Sequence, residues 1–301
     1  MRVVITGADS YIGNNIQSYI LSNEPGAEVV QLDMINETWR EFDFSGYDAV
    51  VHVAAIVHRK DVNNWELYRR VNAELTVEIA EKAKAQGVGQ FVFLSTLAVY
   101  GVGKSLSPKK RIVSRQTEPK PISMYGKSKY LAEQRLEELE NEGFRVAIVR
   151  PPNVYGPGCK GGYISTYSSI VSRMPAIPKA FTSVKQSVLY IDNLSRFIYL
   201  LILRQMRGVY TPQDEGSVSA VDIMSAISEG LNLHRRVSSF LGLFIYPLFF
   251  LPLVRKGYGG VSYDQDSSHH KEFDYVIVPY KEGIKRTVLY GTQCNYSNIQ
   301  N

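Results

Sequence analysis

The chain reads as an α/β protein built on a doubly wound parallel sheet, and three observations predict it. Short β-branched runs alternate with segments of helical period over the first half of the chain. The first run, Val3 to Thr6, passes through a glycine turn into the apolar spacing Ile16, Tyr19, Ile20 of a helix. Later runs, Asp48 to Ala55, Gln90 to Ser95 and Arg145 to Val149, are apolar almost throughout, as strands covered on both faces must be.

Taken in order, the turn Thr6-Gly7-Ala8-Asp9-Ser10-Tyr11-Ile12-Gly13 comes first. Gly7 allows a sharp reversal and Gly13 a close helix–strand approach, so backbone amides and the positive helix end can meet a pyrophosphate. The strand Glu28 to Leu32 ends in Asp33, where a carboxylate would hydrogen-bond an adenosine ribose and repel a 2′-phosphate, favouring NAD over NADP. The alternative is that Asp33 only starts the following turn. Asp43-Phe44 then precedes Asp48 to Ala55, whose last residues form a small-residue floor with room for a cofactor. His52, inside that strand, reads as a packed core histidine, whereas His58, Arg59 and Lys60 beyond its carboxyl end are placed to touch a substrate.

Trp65 to Gln86 has helical period through Leu67, Val71, Leu75 and Ile79 and stops at Gly87. Gln90 to Ser95 delivers Ser95 and Thr96 at a strand end, and Tyr125 opens a helix with Leu131 and Leu136 on its apolar face. Tyr125 and Lys129, four residues apart, share a face of that helix. An ammonium at ~4 Å is worth ~4 kcal/mol at an effective dielectric of about 20, enough to lower a tyrosine from its usual ~10 toward neutrality, where it can exchange protons. Tyr-x-x-x-Lys is a common spacing, so its meaning depends on its surroundings. Arg150-Pro151-Pro152-Asn153-Val154-Tyr155-Gly156-Pro157 is a turn-rich break that marks a domain boundary.

Composition narrows the function classes. A chain of 301 residues that is 45% hydrophobic and 21% charged is not disordered, and its length suggests two domains. The net charge of +5 is scattered apart from Lys109-Lys110-Arg111, so nucleic-acid binding is not indicated. Cys159 and Cys294 lack metal-ligand spacing; no metal site and reduced cytoplasmic thiols are expected. The opening strand leaves no room for a signal peptide.

These motifs, in this order, resemble the extended short-chain dehydrogenase/reductase family that acts on nucleotide sugars. Thr6 to Gly13 is similar to its glycine turn, Val51-His52-Val53-Ala54-Ala55 to its fourth-strand motif and Asn72 to its asparagine. Leu94 to Gly101 around Thr96, the Tyr125/Lys129 pair, Arg150 to Pro157 and Tyr190-Ile191-Asp192-Asn193-Leu194 complete the likeness over the first two-thirds of the chain. The resemblance implies a Rossmann domain over residues 1–153 and 181–212, with a smaller substrate-binding lobe over 154–180 and 213–301. It implies catalysis by Thr96, Tyr125 and Lys129. NAD, or NADP in its place, would be held by Gly7, Ser10, Tyr11, Ile12 and Gly13, by Asp33, Asp43 and Phe44, and by Val53, Ala54 and Ala55. Asn72, Ser95, Pro152 and the Tyr125/Lys129 pair are further implied cofactor contacts, and His58, Thr96, Tyr100, Tyr125, Asn153 and Arg255 implied substrate contacts.

The implied activity is hydride transfer at C4 of a UDP-hexose or N-acetylhexosamine, a 4-epimerase of cell-surface polysaccharide biosynthesis. A 4-keto-6-deoxy nucleotide-sugar reductase uses the same residues and is the alternative; a non-catalytic cofactor-binding scaffold is a third reading. A dehydratase is disfavoured because apolar Leu97 and Ala98 stand where it has an acidic pair. Ser10 replaces the family's middle glycine, and Gln186 stands where relatives place an arginine, which shifts diphosphate contacts to Lys185 or Arg255. A homodimer through Trp65 to Gln86 and Tyr125 to Glu140 is also implied.

The second half carries one unusual feature, the apolar run Phe240 to Val254 between Arg235-Arg236 and Arg255-Lys256. It is shorter than the ~20 residues of a membrane span and is broken by prolines. A buried element or oligomer contact is the plain expectation, and peripheral docking at the inner face of the membrane the sharper one. Beyond it, Gly257 to Ser268 reads as a loop, Tyr275 to Val278 as a strand, Glu282 to Thr287 as a helix start, and Asn295, Asn298 and Asn301 as part of a disordered tail.

Overall fold

The computed structural model describes residues 1–57, 64–101, 109–159, 163–268 and 274–297. His58, Arg59, Lys60, Asn298 and Asn301 lie outside the described residues. The chain divides into two compact units, Met1–Gly103 with Thr117–Pro151 and Leu194–Pro212, and Lys104–Gln116 with Pro152–Asn193 and Gln213–Asn301. The break thus falls after Pro151 rather than Asn153, and residues 104–116 and 181–193 group with the second unit.

In the first unit six parallel strands run in the order β11 (Gly208–Tyr210), β6 (Arg145–Val149), β4 (Gln90–Leu94), β3 (Ala49–His52), β1 (Arg2–Thr6), β2 (Glu28–Leu32). Val3, Val4, Ile5, Val50, Val51, Phe91, Val92 and Phe93 are fully buried, which explains why these strands read as continuous apolar runs rather than alternating ones. The order reverses between β1 and β3, and ligands of open α/β sheets bind outside the carboxyl ends of strands at such a reversal. Helix α1 (Tyr11–Asn23) follows β1.

The helix expected over Trp65 to Gln86 is interrupted. It consists of α2 (Trp65–Arg69), a π turn (Arg70–Glu74) and α3 (Leu75–Ala85). Asn72 sits in the π turn, fully buried; its Nδ2 donates to the Ile56 carbonyl (2.9 Å) and to Ser128 Oγ (3.1 Å), and its Oδ1 accepts from Ile56 N (2.9 Å). The π turn is therefore where the exit of β3 and helix α4 (Met124–Leu139) are tied together.

The second unit is assembled from short pairs. β7 (Asn153–Tyr155) pairs with β10 (Val188–Tyr190), β8 (Ala176–Pro178) with β13 (Arg236–Ser238), and β5 (Ile112–Val113) with β14 (Ser262–Tyr263), all parallel. β9 (Lys185–Gln186) pairs antiparallel with β12 (Val218–Ser219). Around them lie α5 (Tyr163–Arg173), α7 (Ala220–Gly230), α8 (Ser239–Ile245), α9 (Pro252–Tyr258), α10 (Gln265–Ser268) and α11 (Tyr280–Ser297), while α6 (Ile191–Leu203) runs on into the first unit's sequence.

Three expectations for this part of the chain are corrected. Tyr275 to Val278 is not a strand, because the Asn193 side chain replaces a neighbouring strand: its Oδ1 accepts from Ile277 N (2.9 Å) and Val278 N (3.0 Å), and its Nδ2 donates to the Val278 carbonyl (2.9 Å). The stretch 257–268 contains β14 and α10 rather than only loop. Asn295 belongs to α11 and not to a disordered tail.

A buried polar knot centres this unit. Asp214, 3% exposed, accepts from Tyr190 N (2.9 Å), Asn193 Nδ2 (2.8 Å) and the Tyr155 hydroxyl (2.8 Å). Burial outweighs these bonds and pushes its carboxyl up to about 6. A carboxyl raised on folding contributes stability that is complete below its unfolded value and lost as pH rises through about 6. Asp214→Asn should therefore gain in Tm over the parent between pH 4.5 and 7, by the equivalent of about 3 kcal/mol, with no further change above pH 7. A difference independent of pH would show that Asp214 is not held against ionisation.

Candidate active site

β4 ends at Leu94, and the chain then presents Ser95 and Thr96 before the 3-10 turn Leu97–Tyr100. Thr96 caps that turn, its Oγ1 accepting from Ala98 N (3.1 Å). Helix α4 is capped by Ser123, which accepts from Gly126 N (3.0 Å). A Cβ at Gly126 would lie 2.6 Å from the Ala98 carbonyl oxygen, so a glycine is needed for α4 to touch the turn backbone to backbone. That contact brings Thr96 to Tyr125, close enough for its hydroxyl to act on the phenol.

One turn along α4, Lys129 is 1% exposed, its Nζ lying 4.4 Å from the centroid of the Phe93 ring. No hydrogen-bond acceptor among the described residues reaches that amine. Burial pushes Lys129 down to about 7, opposed by the charge of Glu133 one turn further on. Tyr125 is pushed up to about 12 by burial, with the Thr96 hydrogen bond acting downward and nearby Tyr68 upward. The expected lowering of Tyr125 by Lys129 is thus not what the protein's own groups produce: desolvation works on both residues, and it opposes the charged form of each.

Beneath this pair runs a charged network that the sequence reading missed. Arg150 donates from Nε (3.0 Å) and Nη2 (2.6 Å) to the two oxygens of Glu133 and from Nη1 to the Tyr100 hydroxyl (2.7 Å). Ser95 donates to Glu133 as well. All four side chains are buried. Tyr100, expected at the substrate, and Ser95, expected at the cofactor, place their hydroxyls in this network, against Arg150 and Glu133. The signal available was Glu133 at i+4 from Lys129, on the face of α4 turned to the core.

At the sheet reversal Gly7 has φ +89, and a Cβ there would stand 3.1 Å from Ala54 Cα. Val53, Ala54 and Ala55 are half-buried at the exit of β3. Ser10 caps α1, its hydroxyl accepting from Gly13 N (3.1 Å), so only donation remains to offer an anion; Tyr11 and Ile12 open the helix behind it. Asp33 follows β2 and accepts from Ile35 N (2.9 Å) and Asn36 Nδ2 (3.3 Å), so it does start a turn, with lone pairs left for a ribose. Asp43 is exposed and accepts from Ser45 N (2.9 Å). Phe44 is in the core, its amide donating to Gln86 Oε1 (2.7 Å), and its ring cannot face a cofactor.

Asn72, fully buried and bonded on both amide atoms, positions Ile56 and Ser128 instead of offering itself to a ligand. His52 is the packed histidine expected, bonded to Thr6 Oγ1 (2.8 Å) and Thr76 Oγ1 (3.0 Å) and held neutral by burial and by Lys129. Pro152, Asn153 and Arg255 belong to the second unit. There Lys185 is paired with Asp222 (2.7 Å) and Gln186 donates to the Tyr163 hydroxyl (2.7 Å).

A family profile described as "NAD dependent epimerase/dehydratase family" matches residues 3–205, more than half of the chain. The chain belongs to this family. Among its relatives is a UDP-glucose 4-epimerase of Vibrio cholerae, 29% identical over 251 residues that cover 76% of each chain. An N-acetyl-alpha-D-glucosaminyl-diphospho-ditrans,octacis-undecaprenol 4-epimerase of Escherichia coli O157:H7 is 28% identical over 211 residues, 68% of this chain and 61% of that one. In fold it is similar to the UDP-glucuronic acid 4-epimerase of Bacillus cereus in complex with NAD, with a TM-score of 0.73, 20% identity and 97% of each chain covered.

The residues present fit NAD. Gly7 leaves a cradle that any Cβ would fill, the amide end of α1 suits a diphosphate, and the orphaned Lys129 amine suits the hydroxyls of a ribose. Lys129→Met should accordingly raise the Tm of the protein alone at pH 7.5, by on the order of a few kcal/mol, while reducing the further rise that NAD produces. A lower Tm for the variant would mean that the amine is satisfied without a ligand.

Proposed function

We propose that the protein is a nucleotide-sugar 4-epimerase, acting on a UDP-hexose or UDP-N-acetylhexosamine in cell-surface polysaccharide biosynthesis in the cytoplasm. The observation that carries this reading is the approach of the Thr96 hydroxyl to the Tyr125 phenol, with Lys129 one helical turn away, buried and reached by no hydrogen-bond acceptor among the described residues. The relatives named as 4-epimerases support the choice of sugar carbon.

In this mechanism Tyr125 takes the proton of the C4 hydroxyl and returns it after the carbon has been re-reduced from its other face. Thr96 hydrogen-bonds the same oxygen and restrains its position. Lys129 holds the nicotinamide ribose and, once that contact lets it keep its proton, supplies a positive charge that favours the phenolate of Tyr125. Bound NAD supplies the two-electron acceptor and donor, together with a cationic ring that lowers Tyr125 further. The buried Glu133 and Arg150 keep α4 and β6 locked beneath these groups, so the proton-transfer geometry does not depend on a mobile loop.

An epimerase leaves the amount of oxidised cofactor unchanged over a turnover, whereas a reductase consumes reduced cofactor. Incubation with UDP-glucose and UDP-N-acetylglucosamine should yield the C4 epimers with no net absorbance change from NADH. Tyr125→Phe should lower kcat by about 100-fold or more while NAD binding is retained. Stoichiometric oxidation of NADH or NADPH by a 4-keto-6-deoxy nucleotide sugar, without epimerisation, would replace this reading with the reductase. The proposal includes a homodimer, which light scattering would find at about twice the 33.9 kDa chain mass.

A further inference from the structure

The apolar run in the second unit is not a core element. Within this unit Phe240 is 68% exposed, Leu243 66%, Phe250 73% and Leu253 75%, with Phe244, Tyr246 and Leu251 also exposed. The expectation of a buried segment fails because the segment is anchored by its other side. A Cβ at Gly242 would lie 2.1 Å from the Lys179 carbonyl oxygen, so α8 rests directly on the chain leaving β8. Lys179 N donates to the Ser238 carbonyl (2.9 Å). The Phe181 ring meets Tyr246 (4.6 Å between centroids) and Phe249 (4.8 Å), and the Tyr258 hydroxyl donates to the Pro178 carbonyl (3.3 Å). One side is pinned to the unit, and the other presents Phe240 stacked edge-on against Phe244 (5.3 Å) with Leu243, Phe250 and Leu253.

The helical stretch Ser239–Phe250 and the helix Pro252–Tyr258 meet at 119°, with the break at Leu251 before Pro252. No single helix among the described residues is long and apolar enough to cross a membrane. Twelve helical residues rise only ~18 Å against a hydrocarbon core of ~30 Å, so such a bent pair has the dimensions to lie in an interface, not to pass through it. From Gly230 to Tyr263 the chain has no Asp or Glu, and its formal charges are Arg235 and Arg236 before the apolar run and Arg255 and Lys256 after it. Arg236 and Lys256 are exposed. A two-fold contact between copies through this face would bring together two rims of the same positive sign, which is unfavourable; an anionic surface is complementary to the rim and takes the apolar side chains into its acyl boundary.

We propose that α8, the turn after it and α9 form a docking surface for an anionic lipid bilayer, which holds the enzyme at a membrane by shallow insertion of Phe240, Leu243, Phe250 and Leu253. The inference is independent of which sugar the enzyme takes. It is tested by flotation of the full-length protein with vesicles of phosphatidylglycerol and phosphatidylcholine in equal parts, and with vesicles of phosphatidylcholine alone. The protein should float with the mixed vesicles at least about tenfold more than with the neutral ones. Replacement of the four apolar residues by serine (F240S/L243S/F250S/L253S) should abolish flotation, and R236E/K256E should remove the preference for anionic lipid. Unchanged cooperative unfolding by circular dichroism establishes that each variant is folded. Failure of the parent protein to float, or flotation unaffected by the serine substitutions, overturns the proposal. So does a serine variant that changes only the mass seen in light scattering, since the face would then be a contact between copies.

Discussion

A primary amine buried where no hydrogen-bond acceptor among the described residues reaches it is the constraint on which the first unit is organised. Lys129 sits over the Phe93 ring and one turn from Glu133, and neither provides what water provided: the ring offers a quadrupole, and the charge of Glu133 is already claimed by two hydrogen bonds from Arg150 and one from Ser95. Holding such a group costs stability. The fold tolerates it because α4 is fixed on both sides, by its glycine contact at Ala98 and by the Asn72 bridge to Ser128 and Ile56.

The same logic governs the electrostatics of the pair. Burial moves Tyr125 and Lys129 in opposite directions, the phenol up to about 12 and the amine down to about 7, so that near neutrality the neutral form of the phenol dominates and the amine is close to balance. A ribose at Lys129 would restore its proton, and with that charge the tyrosine becomes easier to ionise. In the proposed mechanism, activation of Tyr125 is thereby linked to occupancy of the cofactor site.

The sheet was legible because its strands are covered on both faces and therefore written as uninterrupted apolar runs. That Tyr125 and Lys129 share one helix was legible from their spacing, whereas the approach of Thr96 to Tyr125 was implied only by the resemblance. The Ser95–Glu133–Arg150–Tyr100 network was not, since it joins four elements distant in sequence and each member alone reads as an ordinary polar residue. The second unit was hardest: its strands are two or three residues long, too short for a period, and Asn193 does with a side chain what a strand pairing would do with a backbone. The run from Phe240 to Val254 left a buried element, an oligomer contact and membrane docking open because apolarity in sequence says nothing about which side is covered, and here Gly242 and Phe181 cover one side only.

The central proposal is that the Lys129 amine, which no hydrogen-bond acceptor among the described residues reaches, finds its acceptor in bound NAD. Its most direct test is an NMR titration of the Lys129 side chain, assigned by comparison with a lysine-free position, in the protein alone and with saturating NAD. Midpoints near 7 alone and clearly higher with NAD are predicted. A midpoint in the ordinary lysine range near ~10.4 in the protein alone, or one that NAD leaves unmoved, would contradict the account.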